Sequence, residues 1–239
     1  LLGAVFVFNA VRKQIKLSQQ QQNFMMAITH ELKTPIAVTK LNLETLQRRQ
    51  LQEDTQQKLI KNTLQETNRL NSLCNNILLA SQLEAGLNTT SQQEINLSEL
   101  AESSVKDFTT RFTDRRIISN IDEAIYINGE EILIEMLVNN LIENALKYSP
   151  KNGAVTISLK ENTDAVLLQV SDEGIGIADI DKKRIFEKFY RAGDENVRTT
   201  KGTGLGLYLC KKIMQGHRGT ISVTNNQPQG SIFTASFNV

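Results

Sequence analysis

Residues Ile28 to Leu46 read ITHELKTPIAVTKLNLETL. Successive side chains on a helix are set about 100° apart, and by that rule Ile28, Leu32, Ile36, Thr39, Leu43 and Leu46 fall in one stripe roughly 80° wide. An apolar stripe of this period predicts an amphipathic helix with that face buried. On the same wheel His30 projects roughly 165° from the centre of the stripe and Thr34 about 150° from it. Both are expected at solvent, one turn apart. His30-Glu31 begins like the helix of a zinc protease, but HExxH needs a second histidine where this chain has Thr34. His30 is then either a solvated surface histidine or a functional one.

Working outward, proline occurs between Arg12 and Gly86 only at Pro35, and glycine is absent until Gly86. The helical period persists throughout, so two long helices are expected. The tract SQQQQ at Ser18–Gln22 is low in complexity but compatible with the first helix. The segment RRQLQEDT, Arg48 to Thr55, supplies the turn, and Ile60, Leu64, Thr67, Leu70, Cys74, Ile77 and Leu78 give the second helix a broad apolar face. Two such faces are too wide to cover each other in a hairpin. A second copy of the chain, completing a four-helix bundle, is the economical solution. Pro35 removes a backbone donor and should bend the first helix just past His30.

With 239 residues, 40% of them hydrophobic, the chain can bury a core and is long enough for one or two domains. A net charge of +1 gives no reason to expect nucleic acid as a partner. Cys74 and Cys210 each sit in an apolar helical pattern and are read as buried thiols, as in a reducing compartment. The opening LLGAVFVFNA is followed by Arg12, Lys13 and Lys16. Ten helical residues span about 15 Å, half of a bilayer core of about 30 Å, so this run does not cross a membrane by itself. It is read as the cut end of a longer span, with the basic cluster on the cytoplasmic side, against the alternative of an apolar helix end packed in a bundle.

The polar segment GLNTTSQQ, Gly86 to Gln93, is the best domain boundary. Beyond it, helical patterns near Leu97–Arg115, Glu130–Tyr148 and Gly206–Gln215 mix with alternating strand patterns that begin at Ala154, Ala165, Gly219 and Ser231. Paired strands with helices set apart in sequence indicate an α+β sandwich.

Four motifs lie in this half. In NNLIENALKYS, Asn140, Glu143, Asn144 and Lys147 share one helix face while Ile134, Val138, Leu141 and Ala145 take the other. A solvated polar face is the simple explanation, but asparagine is a poor helix former, a carboxamide oxygen suits Mg²⁺, and a lysine suits phosphate. SDEGIGI, Ser171 to Ile177, ends a strand pattern with a turn that uses Gly174 and Gly176, where a buried Asp172 can accept a hydrogen bond from an amino group such as that of adenine. FEKFYR, Phe186 to Arg191, pairs two aromatics with an arginine. KGTGLGLYLCKKI carries Gly202, Gly204 and Gly206 into a helix, so that backbone amides can approach phosphate. It is neither Walker A nor the dinucleotide-binding GxGxxG.

In this order, NxxxN, DxGxG, FxxF and GxGxG resemble the N, first glycine, F and second glycine boxes of the sensor histidine kinases, and HELKTP upstream extends the resemblance from about Asn23 to the end. The resemblance implies a two-helix hairpin that dimerises into a four-helix bundle, followed by a Bergerat-type α/β sandwich that binds ATP. Residues 1–22 would be the truncated membrane span and linker, 23–88 the dimerisation and phosphotransfer domain, and 94–239 the catalytic domain. It further implies His30 as phospho-acceptor, Asn144 as Mg²⁺ ligand, Asp172 as adenine reader, and Lys147 and Arg191 as phosphate contacts. Asn140, Tyr148, Gly174, Gly176, Phe189, Gly202, Thr203, Gly204, Leu205 and Gly206 would line the nucleotide site, with Gly193–Lys201 as its lid.

The implied partners are a second copy, a response-regulator receiver domain and, through the N-terminal span, a bacterial inner membrane, with the kinase on the cytoplasmic side. Glu31 is placed to hydrogen-bond the second ring nitrogen of His30 during attack on phosphate. Thr34 completes an E-x-x-T with Glu31 that the resemblance associates with dephosphorylation of the regulator. His217, in a turn beside two glycines, is read as structural. A non-catalytic signalling scaffold and a Bergerat-fold ATPase or serine kinase are the competing classes. The intact motifs argue against the first, and the hairpin with ITHELKTP argues against the second.

Overall fold

Gln52 starts the second of two long helices, its carbonyl accepting the amides of Thr55 and Gln56 at 3.0 Å each. Glu53 and Asp54 in the first turn then place negative charge at the positive end of the helix dipole. The computed structural model describes residues 2–48, 51–84, 93–192 and 203–238, which divide into a helical unit and an α/β unit. Of the expected boundary Gly86–Gln93, residues 86–92 lie outside the described residues, as do Arg49 and Gln50 of the expected turn.

The helical unit consists of α1 (Leu2–Arg48) and α2 (Glu53–Glu84). Helix α1 runs through Pro35, where the missing N–H removes the usual donor to the Glu31 carbonyl. Among its described residues the buried ones are Ile28, Glu31, Pro35 and Asn42, spaced so as to lie along one side. The expected apolar stripe is therefore covered on one flank only: Ile28 is 8% exposed, but Ile36 and Leu43 are 54% and 52% exposed. One neighbouring helix covers a narrow strip of a cylinder, which leaves the rest of a broad face uncovered. Ile60, Leu64 and Leu78 of α2 are exposed for the same reason, and so is Cys74, whose apolar helical pattern predicts a buried thiol. Ile36, Thr39, Leu43 and Leu70 line a shallow groove of about 510 Å³. Within the seam Asn42 Nδ2 donates to Thr63 Oγ1 at 3.3 Å, and that hydroxyl donates to the Leu59 carbonyl at 2.8 Å. Val5, Phe6, Val7, Phe8, Val11 and Ile15 are exposed, and no described helix is long and apolar enough to cross a membrane.

The α/β unit begins with β1 (Gln93–Asn96) and α3 (Leu97–Arg111), followed by β2 (Arg116–Ile121), β3 (Tyr126–Gly129) and α4 (Glu131–Tyr148). It continues through β4 (Ala154–Glu161), β5 (Ala165–Asp172), a single 3₁₀ turn (Arg184–Phe186), α5 (Gly206–Gly216), β6 (Thr220–Asn225) and β7 (Ser231–Asn238). Strands β1 and β3 form an antiparallel ribbon, and the main sheet has the order β2-β4-β5-β7-β6. Only the β2–β4 pair is parallel. The four expected strands are all present. Strands β1 and β2 carry no clean alternation, and β3 alternates over only four residues.

Alternation decides which sheet face is covered. Val155, Ile157 and Leu159 of β4, Val166, Leu168 and Val170 of β5, and Phe233, Ala235 and Phe237 of β7 are buried. Against this unit's core α4 contributes Leu133, Ile134, Leu137, Val138, Leu141, Ile142 and Ala145, and α5 contributes Leu209, Cys210, Ile213 and Met214. Burial pushes the Cys210 thiol well above its ordinary range, so this cysteine is an inert core residue as expected. Since Leu141 is fully buried, Leu141→Ala is expected to destabilise the α/β unit by about 2–5 kcal/mol. Urea denaturation followed by circular dichroism measures this.

Candidate functional site

On α1 His30 is exposed, and its ring makes no hydrogen bond to any described residue. Thr34 is half-buried and its Oγ1 donates to the His30 carbonyl at 3.1 Å, a local bond that leaves the hydroxyl oxygen able to accept. Glu31 behaves differently. It is buried, and its Oε2 accepts from Arg69 Nη2 of α2 at 2.6 Å. The sequence could suggest a role for this carboxylate beside His30, but the arginine lies 38 residues away and left no local signal.

The second group of candidates gathers around the outer face of α4. Ile134, Val138, Leu141 and Ala145 are fully buried, which turns Asn140, Glu143, Asn144 and Lys147 outward as the helical wheel predicts. Asn140 Nδ2 donates to the Met136 carbonyl at 2.8 Å, leaving its Oδ1 to the site. The Asn144 carboxamide bonds no described residue, so its oxygen is available as a hard ligand. Lys147 places its ammonium 4.9 Å from the centre of the Tyr148 ring. Among the described residues no three His, Cys, Asp or Glu side chains cluster as metal ligands, so a cation here would rely on the carboxamide and on groups brought by a substrate.

Asp172 ends β5 in phase with the buried residues Val166, Leu168 and Val170, and this alternation carries its carboxylate to the helix-covered face. Its Oδ1 accepts from the amides of Gly174 at 2.8 Å and Ser231 at 3.3 Å, while Oδ2 accepts from no described residue. Burial raises its pKa, and the two amide bonds partly offset that rise. Two glycines make the pocket possible. A Cβ on Gly174 would stand 2.5 Å from the Tyr148 carbonyl, and one on Gly230, which has φ +118°, would overlap the Asp172 carbonyl. Gly230, Ser231 and Asn226, whose Nδ2 donates to the Asp172 carbonyl at 2.8 Å, were missed from sequence. The pairing of β5 with β7, and of β7 with β6, brings them there.

In the glycine-rich run Gly204 has φ +72°, and the Leu205 amide donates to Thr203 Oγ1 at 3.4 Å. Gly206 opens α5 against α4, where an added Cβ would lie 2.6 Å from Asn140 Oδ1. Gly176 also takes a positive φ, of +73°. Phe186 is buried edge-on to Phe233, with ring centres 6.5 Å apart, whereas Phe189 is half-buried at φ +66° with Lys188 4.6 Å from its ring. Arg191 is half-buried near the end of this described stretch. Gly202 and the expected lid Gly193–Lys201 lie outside the described residues.

His217 is structural, as expected. Its Nδ1–H donates to the Ile213 carbonyl at 2.7 Å and its Nε2 accepts the Glu130 amide at 3.2 Å, at the start of α4. Both of its ring nitrogens are occupied, in contrast to those of His30.

Residues 129–239 match the family of histidine kinase-, DNA gyrase B- and HSP90-like ATPases, and residues 20–86 match the His Kinase A (phospho-acceptor) domain. The sensor protein CiaH of Streptococcus pneumoniae is 32% identical over 246 aligned positions, covering 98% of this chain and 53% of that protein. The sensor histidine kinase WalK of Bacillus subtilis is 31% identical over 237 positions, covering 97% of this chain and 39% of that one. The chain thus spans about half the length, or less, of these relatives. Among solved structures, the Acinetobacter baumannii histidine kinase AdeS superposes with a TM-score of 0.64 at 26% identity, covering 87% of this chain and 97% of the other.

The raised pKa of Asp172 sets the sign of a stability test. Because its folded value lies above the ordinary 3.8, the folded state binds the extra proton in the window above 3.8, and stability falls as pH rises through that window. Asp172→Asn keeps an acceptor for Gly174 and Ser231 but has no charge to bury. At pH 7 without nucleotide, the variant is expected to melt at or above the wild-type temperature, and the difference should shrink as pH approaches 3.8, as thermal melts at a series of pH values would record.

Proposed function

Given that the chain belongs to the sensor histidine kinases of two-component signalling, we propose that it moves the γ-phosphoryl group of ATP to His30, and from there to an aspartate of a response-regulator receiver domain. The observation that carries this reading is the contrast between the two histidines. His217 has both ring nitrogens in structural bonds, and His30, inside the segment matching the phospho-acceptor domain, is exposed with its ring unbonded among the described residues.

The chemistry follows from groups already placed. The neutral imidazole nitrogen of His30 attacks the γ-phosphorus in line. An N–P bond forms as the bond from phosphorus to the bridging oxygen breaks, and the electron pair leaves on ADP. The second ring N–H then carries developing positive charge, which a carboxylate stabilises, the role suited to Glu31. In the next step an aspartate oxygen of the regulator takes the phosphorus and the N–P bond returns its electrons to the ring.

On the α/β unit, Asp172 Oδ2 is free to accept from the exocyclic amino group of adenine. Lys147 and Arg191 supply charge for phosphate, and Asn140, Tyr148, Phe189, Gly174, Gly176 and Gly206 border the nucleotide. Asn144 would hold Mg²⁺, which when bound neutralises charge on the phosphate oxygens.

The uncovered apolar face of α1 and α2 supports pairing with a second copy as a four-helix bundle. The exposed run from Val5 to Ile15 suits attachment to a bacterial inner membrane, with the kinase on its cytoplasmic side. Thr34 supports a second activity at the same face. Its hydroxyl oxygen retains accepting capacity and can orient a water for in-line attack on the aspartyl phosphate of a docked regulator.

Incubation with γ-labelled ATP should yield acid-labile, base-stable label on His30. His30→Gln is expected to abolish it while leaving ATP affinity within about twofold, because His30 belongs to a different unit from Asn140, Asn144 and Asp172. Label of wild-type intensity on the variant would overturn the assignment. Thr34→Ala should keep autophosphorylation and phosphotransfer and lose stimulated decay of the phospho-regulator, followed in the presence of ADP. Decay as fast as with wild type would leave the hydroxyl without that role.

A further inference from the structure

Two carboxylates are buried among the described residues, Asp172 in the α/β unit and Glu31 in the hairpin. The first is assigned above to the nucleotide. The second belongs to the seam formed with Ile28, Pro35 and Asn42, and its charge is met from α2 by Arg69, with Nη2 to Oε2 at 2.6 Å. Arg69 is steered from its own helix as well, since Glu66, one turn earlier, holds Nη1 at 3.8 Å. The guanidinium fork thus spans two acids, tightly bound to Glu31 and loosely to Glu66.

Consecutive side chains on a helix project about 100° apart and do not face one another. With its carboxylate drawn against α2, Glu31 is turned from the exposed imidazole of His30, and it reaches the ring N–H only after leaving Arg69. Arg69 and His30 therefore compete for one carboxylate. We propose that Arg69 is a positioning residue for the phosphoryl transfer: it holds Glu31 against α2 and so sets how often His30 is served by its carboxylate.

A small rotation of α1 against α2 breaks a 2.6 Å contact while apolar side chains merely slide, so the pair is the part of the hairpin that responds first to motion delivered along α1. Arg69 moves no bond itself. It acts through the stabilisation that Glu31 gives to the ring as the N–P bond forms and ADP departs. This inference rests on the kinase reading above.

The test is the rate of His30 labelling by the full chain with γ-labelled Mg-ATP, separated into kcat and KM. Arg69→Gln removes the guanidinium that holds Glu31 Oε2 against α2 and so frees that carboxylate oxygen to turn toward His30; kcat is expected to rise about threefold or more with KM for ATP within about twofold. Arg69→Lys, which restores the charge, should return kcat most of the way to wild type. Glu66→Gln leaves the guanidinium to Glu31 alone, and kcat should fall about two- to threefold. In a Glu31→Gln background both changes should vanish from the residual rate.

An Arg69→Gln rate at or below wild type, or a rise that persists without Glu31, would overturn the proposal. Should Arg69→Gln lose helix content by circular dichroism, the deciding variant is Glu66→Gln, whose side chain is partly exposed, and an unchanged or raised rate there overturns the proposal equally. Wild-type label on His30 keeps the two readings apart: without it the kinase reading fails, and with it only the role of Arg69 is at stake.

Discussion

The burial of one side of α4 against the sheet is the constraint from which the proposed nucleotide site follows. Leu137, Val138, Leu141, Ile142 and Ala145 are fully enclosed, and a helix held along such a width is not free to rotate about its axis. Asn140, Asn144 and Lys147 consequently face outward in one row. The same packing layer receives the inward residues of β5, so a strand that alternates Val166, Leu168, Val170 and Asp172 delivers a carboxylate where a fourth apolar residue would otherwise stand. The fold tolerates that charge because two amides converge on one of its oxygens.

Close approach of backbones supplies the remaining precision. The turn after β5 lies against the end of α4 at a distance only Gly174 permits, and the turn before β7 lies against Asp172 at a distance only Gly230 permits. Gly206 brings α5 onto Asn140 in the same manner. Three separate segments are thereby seated around one site, and any side chain at these points would open the site before it altered the core. Function here depends on what was left out of the sequence as much as on what was put in.

The hairpin works by a different logic. Its seam is narrow and partly polar, containing the Asn42–Thr63 bond and the Glu31–Arg69 pair, while much of its apolar surface is turned away. Buried polar pairs specify register more than they add stability. A long helix with few locking contacts, and the Glu31–Arg69 ion pair next to His30, suits the relay of motion proposed above. The α/β unit, packed on a full sheet, suits one that must hold a substrate still.

Much of this was present in the amino-acid order. The helical period from Arg12 to Gly86, the strand alternation from Ala154 onward, the exposed position of His30 and the polar row on α4 are local properties, written within a few turns or a few pairs of residues. The short strands β1, β2 and β3 were not legible, because their stability comes from partners distant in sequence and not from their own pattern. For the same reason Ser231, Asn226 and Gly230 gave no sign of belonging with Asp172. The sequence determined which faces were apolar, but only tertiary packing decided how much of each was covered, since that depends on how many neighbours a helix has: hence the exposure of Ile36, Leu43 and Cys74. The burial of Glu31 against Arg69 belongs to the same class, because a long-range ion pair is chosen by the register of two helices, which no local pattern encodes.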